Sequence, residues 1–189
     1  MSKKKITVDS LTKNAITKEL NRVKYKSKYN GLLRNTIYTL IIIIAIGAIL
    51  VSLFMPVLEI SGDSMNPKYL NGDIVVTFKT KNIHSGDIIA FYYGNKILVK
   101  RVIATEGNWV NISDKGDITI NGEKLKEDYV IHKKAGDYST KFPCQVKTDS
   151  YFVLSDDRNN IIDSRNEDIG LIHEDDIVGK VLFRIWPFR

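Results

Sequence analysis

The fold class follows from one stretch of sequence, Ile97-Leu98-Val99-Lys100-Arg101-Val102-Ile103. Its residues are mostly β-branched or aliphatic and it follows the turn signal Tyr93-Gly94-Asn95, so it favours a strand over a helix. Asn121-Gly122 predicts a two-residue hairpin. We expect a mainly β, antiparallel and barrel-like fold with no long helix after Glu59. Similar short runs recur at Ile74–Phe78, Ile88–Tyr92, Trp109–Ile112, Ile118–Ile120, Tyr151–Leu154 and Ile177–Trp186.

Toward the N-terminus, residues 35–58 contain no charged side chain. A helix of this length reaches roughly 36 Å, enough to cross a hydrocarbon core of about 30 Å. A cleavable signal peptide has an apolar region of only about 7–15 residues, and a buried core helix is disfavoured because the segment is apolar on every side. We therefore expect a basic tail at 1–34, an uncleaved transmembrane anchor at 35–58 and a β domain at 59–189, with a loop-rich insertion at 113–149.

The charge of the chain is concentrated in the tail. The formal charge of the 189 residues is +6, but residues 1–34 hold 10 Lys and Arg against 2 Asp and Glu, a balance of +8. Residues 35–189 hold 18 against 20, a balance of −2. Lys and Arg beside a span stay in the cytoplasm, so we expect a cytoplasmic N-terminus and an extracytoplasmic β domain in the cell membrane. The nearly neutral β domain argues against nucleic acid as a partner, and the lipid bilayer is the expected one.

Two side chains suggest nucleophilic chemistry, and each also has an ordinary structural explanation. Ser64 lies in a turn rich in small residues. Such a turn can present the serine hydroxyl beside free backbone N–H groups, but a serine in this position often only stabilises the turn. Lys100 shares one strand face with Leu98 and Val102. Burial on that face would lower the lysine pKa and make the amine a general base. On an edge strand the same side chain would extend to solvent.

The remaining polar candidates are weaker. Residues 155–165 contain two acidic–basic pairings, which form either a buttressing ion network or a solvated loop. One cysteine, Cys144, excludes an internal disulfide and a Cys-rich zinc site. The chain has three histidines, at His84, His132 and His173. Their spacing is not that of metal ligands, so no metal is expected.

Taken in order after an N-terminal anchor, these segments resemble the type I signal peptidases of bacteria, in their compact Gram-positive form. The resemblance implies the signal-peptidase catalytic fold and a membrane-bound serine endopeptidase that removes signal peptides from exported preproteins. It implies no cofactor. The matching stretches are Gly62-Asp63-Ser64-Met65-Asn66-Pro67, Lys100-Arg101-Val102-Ile103, Asp156-Asp157-Arg158, Asp163-Ser164-Arg165, and the ending from Ile177 to Phe188.

The resemblance also implies roles for individual residues. Ser64 is the expected nucleophile and Lys100 the expected general base. The backbone N–H of Ser64 contributes to the expected oxyanion hole, beside Gly62, which stands where some members add a hydroxyl donor. The expected supporting residues are Arg101, Asp156, Arg158, Asp163 and Arg165. The residues expected to border pockets for small substrate residues at −1 and −3 are Ile60, Met65, Leu98 and Val99.

The chain departs from the family pattern at three places. Ile161 replaces a small polar residue that often hydrogen-bonds the lysine, Ser155-Asp156 replaces Gly-Asp, and Glu106-Gly107-Asn108 replaces Pro-Gly-Asp. Ile161 keeps an alternative open, a non-catalytic membrane-anchored assembly factor or chaperone on the same fold. A self-cleaving repressor with the same Ser/Lys chemistry would need a DNA-binding domain and no span, so the anchor excludes it.

Two structural expectations follow from the resemblance and from the position of the serine close to the anchor. Arg101 should pair directly with Asp156. This pair would join the predicted strand of Lys100 to the loop at residues 155–165, here called the late loop. The surface near Met65, Trp186 and Phe188 should contact the bilayer interface, where Trp is favoured. The alternative for the two aromatic rings is ordinary packing in the core.

Overall fold

The structure is a computed structural model that describes residues 8–130, 133 and 138–188. The chain divides into two units, one up to Leu50 and one from Val51 onward. His132 and part of the expected insertion lie outside the described residues.

The first unit consists of helix α1 (Val8–Phe54), of 47 residues, whose last turn reaches into the second unit. The helix begins well before the expected anchor, so most of the basic tail is helical. From Ala15 to Phe54 it is long and apolar enough to cross a membrane, and its most apolar window of 18 residues has a mean hydropathy of 2.8 with none of that window buried. It ends at Phe54 because Pro56 disfavours helical geometry in the residue before it and has no N–H to donate.

The second unit contains an open sheet of seven strands in which every neighbouring pair is antiparallel. The order across the sheet is β1-β2-β11-β3-β4-β9-β10. Between β10 and β11 lies a 3₁₀ turn, Glu174–Asp176. The strands are β1 (Val57–Glu59), β2 (Ile74–Phe78), β3 (Ile88–Tyr93), β4 (Lys96–Ala104), β9 (Ser150–Leu154), β10 (Ile172–His173) and β11 (Ile177–Trp186).

A second antiparallel sheet has the order β7-β6-β5-β8. Three of its strands lie in the stretch expected to be a loop-rich insertion. The Asn121-Gly122 turn joins two of them with both residues at positive φ, 52° and 87°, which confirms the expected hairpin. The strands are β5 (Trp109–Ile112), β6 (Ile118–Ile120), β7 (Glu123–Lys124) and β8 (Cys144–Gln145).

The expected β class and antiparallel pairing are confirmed, but within the described residues the sheets do not close into a barrel. The large sheet ends at β1 on one side and at β10 on the other. A barrel requires hydrogen bonds between the two edge strands. Here β1 and β10 have only three and two residues, so they terminate the sheet instead.

The register of the large sheet places the candidate residues. In β3 and β4, Ile89 faces Lys100, and in β4 and β9, Arg101 faces Leu154. Continuing the second ladder by one residue sets Ser155 opposite Lys100. The side chain of Lys100 is therefore buried on one face of the sheet, next to the point where β9 ends and the late loop begins.

The surface expected at the bilayer interface is only partly as predicted. Trp186 and Phe188 are exposed and meet edge to face with ring centroids 5.8 Å apart, so the alternative of core packing is wrong for both rings. Met65, however, is 0% exposed and packs with Ile60 and Val75 in an apolar cluster. Its place in the expected surface is therefore wrong. Membrane contact by the two rings stays a prediction.

Candidate active site

Ser64 lies in a short loop between β1 and β2 and is half-buried. Its carbonyl accepts a hydrogen bond of 3.0 Å from the backbone N–H of Asp157, which ties this loop to the late loop. Its own backbone N–H and its Oγ make no hydrogen bond to the described residues. The hydroxyl and one amide donor are therefore both available to a substrate carbonyl, as an oxyanion hole requires.

Gly62 shapes the loop that carries Ser64 but does not supply an unbound backbone N–H group. Its φ of 84° lies in the left-handed region that favours glycine. Its N–H donates to Asn71 Oδ1 at 2.8 Å. Gly62 therefore shapes the turn that presents Ser64 while its N–H binds Asn71, and its place in the oxyanion hole stays a prediction.

Lys100 is buried, with 2% of its surface exposed, and its Nζ donates to Ser155 Oγ at 2.9 Å. The expectation of a lysine buried on the strand face of Leu98 and Val102 is confirmed. Burial is the largest influence and lowers the pKa of Lys100 from 10.5 to about 8; Asp163 opposes that shift, and Arg165 adds to it. A substantial fraction of the amine is thus neutral near physiological pH, and a neutral amine is a competent base.

Three arginines around Lys100 each have a carboxylate partner. Arg101 binds Asp156 through two hydrogen bonds, of 2.6 and 2.7 Å, so the expected pairing is confirmed. Arg165 binds Asp163 in the same bidentate manner, at 2.7 and 2.8 Å. Such paired geometry offsets the cost of burying the charges.

The partner of the third arginine lies outside the late loop. Arg158 pairs with Glu127 through both guanidinium Nη atoms, and the two residues are almost fully buried. Tyr129 donates its hydroxyl to the same carboxylate at 3.0 Å, while its ring lies 4.1 Å below the guanidinium carbon of Arg101. The stretch that carries Glu127 and Tyr129 therefore supports two of the arginines.

Lys100 differs from these three arginines because it has no carboxylate of its own. Within the described part of the chain, no Asp or Glu oxygen lies within salt-bridge distance of its Nζ. The nearby carboxylates of Asp156 and Asp163 are each engaged by an arginine. Asp163 and Asp156 therefore oppose the fall of the Lys100 pKa only in part, and burial remains the larger influence.

A groove of about 370 Å³ runs beside Ser64. Ser64 lines it together with Ile60, Leu98 and Val99, three of the four residues expected to bind substrate. The fourth, Met65, is wholly buried beneath and does not reach this groove. Aliphatic side chains therefore form much of the wall next to the serine.

Several residues that matter here escaped the sequence reasoning. In the sequence Ser155 is only a departure from the family pattern, and no motif gives Glu127, Tyr129 or Asn71 a role at the site. Spacing along the chain does not reveal them, because Asn71, Ser155 and Glu127 bind residues between 9 and 55 positions away, and the ring of Tyr129 contacts Arg101. A lone acidic residue in a polar stretch carries no signal of burial.

Ile161 is 47% exposed on the late loop. It brings no polar atom to Lys100, and the hydroxyl that contacts the lysine comes from Ser155 instead. His84 is largely exposed, and His173 caps the 3₁₀ turn by accepting from the Asp175 N–H. Neither histidine has a recorded contact with Ser64 or Lys100 in the described residues.

The chain is similar in sequence to known proteins. The family model described as "Signal peptidase, peptidase S26" matches residues 33–186. Signal peptidase IB of Staphylococcus aureus (strain COL) is 37% identical over 150 residues, which cover 68% of this chain and 76% of that protein. Signal peptidase I T of Bacillus subtilis (strain 168) is 35% identical over 153 residues, covering 72% and 76%. A crystal structure of a signal peptidase I from Enterococcus faecalis V583 matches with 30% identity and a TM-score of 0.46, covering 56% of this chain and 100% of that one.

Proposed function

Because the chain belongs to the signal peptidase family, peptidase S26, it is a serine endopeptidase that cleaves signal peptides, and we propose that Ser64 is its nucleophile and Lys100 its general base. The observation that carries the assignment is the environment of Lys100. Its amine is buried, has no carboxylate partner within the described ranges, and belongs to the residue that follows Val99, which lines the groove of Ser64. Burial disfavours its charged form, which is what a lysine base needs.

The proposed reaction has two stages. Ser64 Oγ attacks the scissile carbonyl carbon while its proton passes to Lys100 Nζ, and the backbone N–H of Ser64 stabilises the oxyanion. Lys100 then returns the proton to the leaving amine, which departs and leaves an acyl-enzyme ester on Ser64. A water molecule gives one proton to Lys100 and attacks the ester carbonyl carbon. Lys100 then passes this proton to Ser64 Oγ as the ester bond breaks, which releases the acid product and regenerates the serine hydroxyl and the neutral lysine.

The substrate class proposed for the groove is a preprotein with small residues at −1 and −3. Ile60, Leu98 and Val99 contribute aliphatic walls beside Ser64, and a large side chain at −1 would collide with them. In a close-packed wall even one added methylene is costly, so the groove discriminates by exclusion. The supporting role of the three ion pairs is to hold this wall and the two reacting residues in one geometry.

We further propose that α1 anchors the enzyme in the cell membrane with its N-terminus in the cytoplasm. The apolar part of the helix is long enough to cross a bilayer, and 10 Lys and Arg stand against 2 Asp and Glu in residues 1–34. This excess of positive charge favours the cytoplasmic side. The same pattern gives domain boundaries at 34 and 58, although α1 already ends at Phe54 and Val57–Glu59 form β1.

The decisive experiment incubates the detergent-solubilised full chain with a preprotein whose −1 residue is Ala. Wild type should release the mature protein, while Ser64→Ala and Lys100→Met should each lower kcat/KM by about 10³-fold or more. The double variant should lose little beyond either single one, because the two residues act as a unit. A preprotein with Leu at −1 should remain uncut. Cleavage by Lys100→Met at the wild-type rate would show that another group is the base.

The assembly-factor alternative loses the feature that favoured it. That alternative depended on Ile161, which stands where the family usually has a small polar residue that hydrogen-bonds the lysine. In this chain Lys100 has a hydroxyl partner in Ser155, so Ile161 does not leave the amine without one. A wild-type protein that binds the preprotein but never cuts it would restore that alternative.

A further inference from the structure

Among the residues that the structure describes, Ser155 is the side chain that binds the amine of Lys100. Its Oγ accepts a hydrogen bond of 2.9 Å from Lys100 Nζ, and Ser155 is 0% exposed. The contact follows from strand register, since the β4–β9 ladder, continued by one residue, sets the two residues directly opposite each other. Directly opposed side chains in an antiparallel pair lie on the same face of the sheet.

The backbone of Ser155 is fixed on both sides by charged residues. Its N–H donates to Asp163 Oδ2 at 2.9 Å, and its carbonyl accepts from Arg158 Nε at 2.8 Å. Each of these residues is in turn held by its own ion pair, with Arg165 and with Glu127. The ion pairs therefore hold Ser155 directly, and they reach Lys100 through it.

A serine bonded to a lysine base invites a second interpretation, in which Ser155 itself attacks the substrate. Burial decides against this. A peptide carbonyl must come within about 3 Å of the attacking oxygen, and no surface of Ser155 is open to it. Ser64 is half-buried and lines the groove, so the accessible hydroxyl belongs to Ser64.

We propose that Ser155 is the positioning residue for the general base, an inference that rests on the function proposed above. A neutral amine has two N–H groups and one lone pair. One N–H donates to Ser155 Oγ, which fixes rotation about the last bond of the lysine side chain and leaves the lone pair free to take the proton of Ser64. After proton transfer the ammonium keeps the same hydrogen bond, so the base does not reorient between the two stages.

The inference predicts a specific kinetic signature for Ser155→Ala, a change that removes one buried oxygen and adds no atom. Substrate contacts are unchanged, so KM should stay within about twofold, while kcat should fall by roughly 10- to 100-fold because the base is no longer aimed. The hydroxyl also stabilises the ammonium form. The acid limb of the pH–rate profile should therefore move to lower pH. Ser155→Thr restores a hydroxyl and should recover most of kcat.

Ser164→Ala is the matched control. Ser164 is also a buried serine of the late loop, but its Oγ accepts from the backbone N–H of Val153 and has no recorded contact with Lys100. It should lower the unfolding temperature and leave the acid limb where it is. Should Ser155→Ala fail to fold, as judged by thermal unfolding, Ser155→Gly removes the same hydroxyl and serves in its place.

Three results would overturn the inference. One is a wild-type kcat and pH profile in the variant that lacks the hydroxyl. Another is a loss of kcat with an unmoved acid limb, as for Ser164→Ala, which would make the role of Ser155 structural. The third is a loss as deep as that of Ser64→Ala, which would place Ser155 among the reacting groups. Failure of the proposed function is seen separately, as continued cleavage by Lys100→Met.

Discussion

At the scale of single residues, the chemistry depends on which charges around Lys100 are already paired. Asp156 and Asp163 lie near the amine, but each binds an arginine in a bidentate manner. Burial is the largest influence on the lysine and lowers its pKa from 10.5 to about 8, although Asp163 and Asp156 oppose the shift. Activity and stability should respond to this shift in opposite ways, because the property that makes the amine a base also makes its charged form costly to bury.

The first consequence concerns activity. If Lys100 is the base, kcat/KM should rise with pH and level off above an apparent pKa of about 8, with the slope of a single proton. The profile is measured with a synthetic signal-peptide substrate and the solubilised full chain between pH 6 and 10. A limb centred near 6.5, the value of an ordinary histidine, would contradict the lysine assignment.

The second consequence concerns stability. The folded pKa of Lys100 is below its unfolded value, so between about pH 8 and 10.5 the unfolded chain binds more protons and this group makes stability rise with pH. At pH 7 the full penalty remains, about 3 kcal/mol for a shift of this size. Lys100→Met removes that penalty but leaves Ser155 without its partner, which costs about 1 kcal/mol.

Denaturant unfolding at pH 7 and pH 10.5 measures this difference. Lys100→Met should be more stable than wild type at pH 7 by roughly 1–3 kcal/mol, and the advantage should vanish at pH 10.5. Lys96→Met, at the exposed start of the same strand, is the control and should differ little from wild type at either pH. A variant that is less stable than wild type at pH 7 would refute the buried-charge explanation.

At the scale of elements, the late loop after β9 makes the hydrogen bonds and ion pairs that connect the parts of the site. It bonds the loop of Ser64 through Asp157, β4 through Ser155 and Asp156, and the stretch that carries Glu127 through Arg158. Lys100 and Ser64 are thus attached to the same three consecutive residues, 155–157. The loop has little regular structure of its own, so the ion pairs take the place of a strand ladder in holding its shape.

Glu127→Ala tests this arrangement. It leaves Arg158 buried without its carboxylate, and breaking one side of a buried pair costs about 3–5 kcal/mol. We expect a loss of this size in the free energy of unfolding, together with a lower kcat, because Arg158 also holds the carbonyl of Ser155. Glu123→Ala, at an exposed position four residues earlier, should stay within about 0.5 kcal/mol of wild type. Equal stability of the two variants would show that the pair does not support the loop.

At the scale of the whole molecule, charge is divided unevenly between a basic N-terminal segment and a nearly neutral β domain. A signal peptidase meets its substrates at a membrane, and α1 offers a single long apolar helix there. The division of charge predicts which side the β domain occupies, since Lys and Arg near a span are retained in the cytoplasm.

Protease added to sealed right-side-out membrane vesicles tests the orientation. The chain beyond Glu59 should be digested, and a tag on the N-terminus should be protected until detergent is added. A variant in which the lysines of residues 13–28 are replaced by Gln should be inserted in mixed orientation, because the charge bias has been reduced. Protection of the β domain in the wild type would contradict the proposed topology.

The sequence by itself determined what depends on neighbours along the chain. The apolar span, the strand at 97–103 and the Asn121-Gly122 hairpin were predicted from local composition and periodicity, whereas the pairing of Ser64 with Lys100 rests on the motifs of the family resemblance. Only the tertiary structure decided which groups surround the lysine. Ser155 and Glu127 meet partners 55 and 31 positions away, across a strand ladder and a buried salt bridge. No local pattern encodes such contacts, because strand register and burial arise when the whole sheet packs, and a one-residue slip of β9 would take Ser155 away from Lys100.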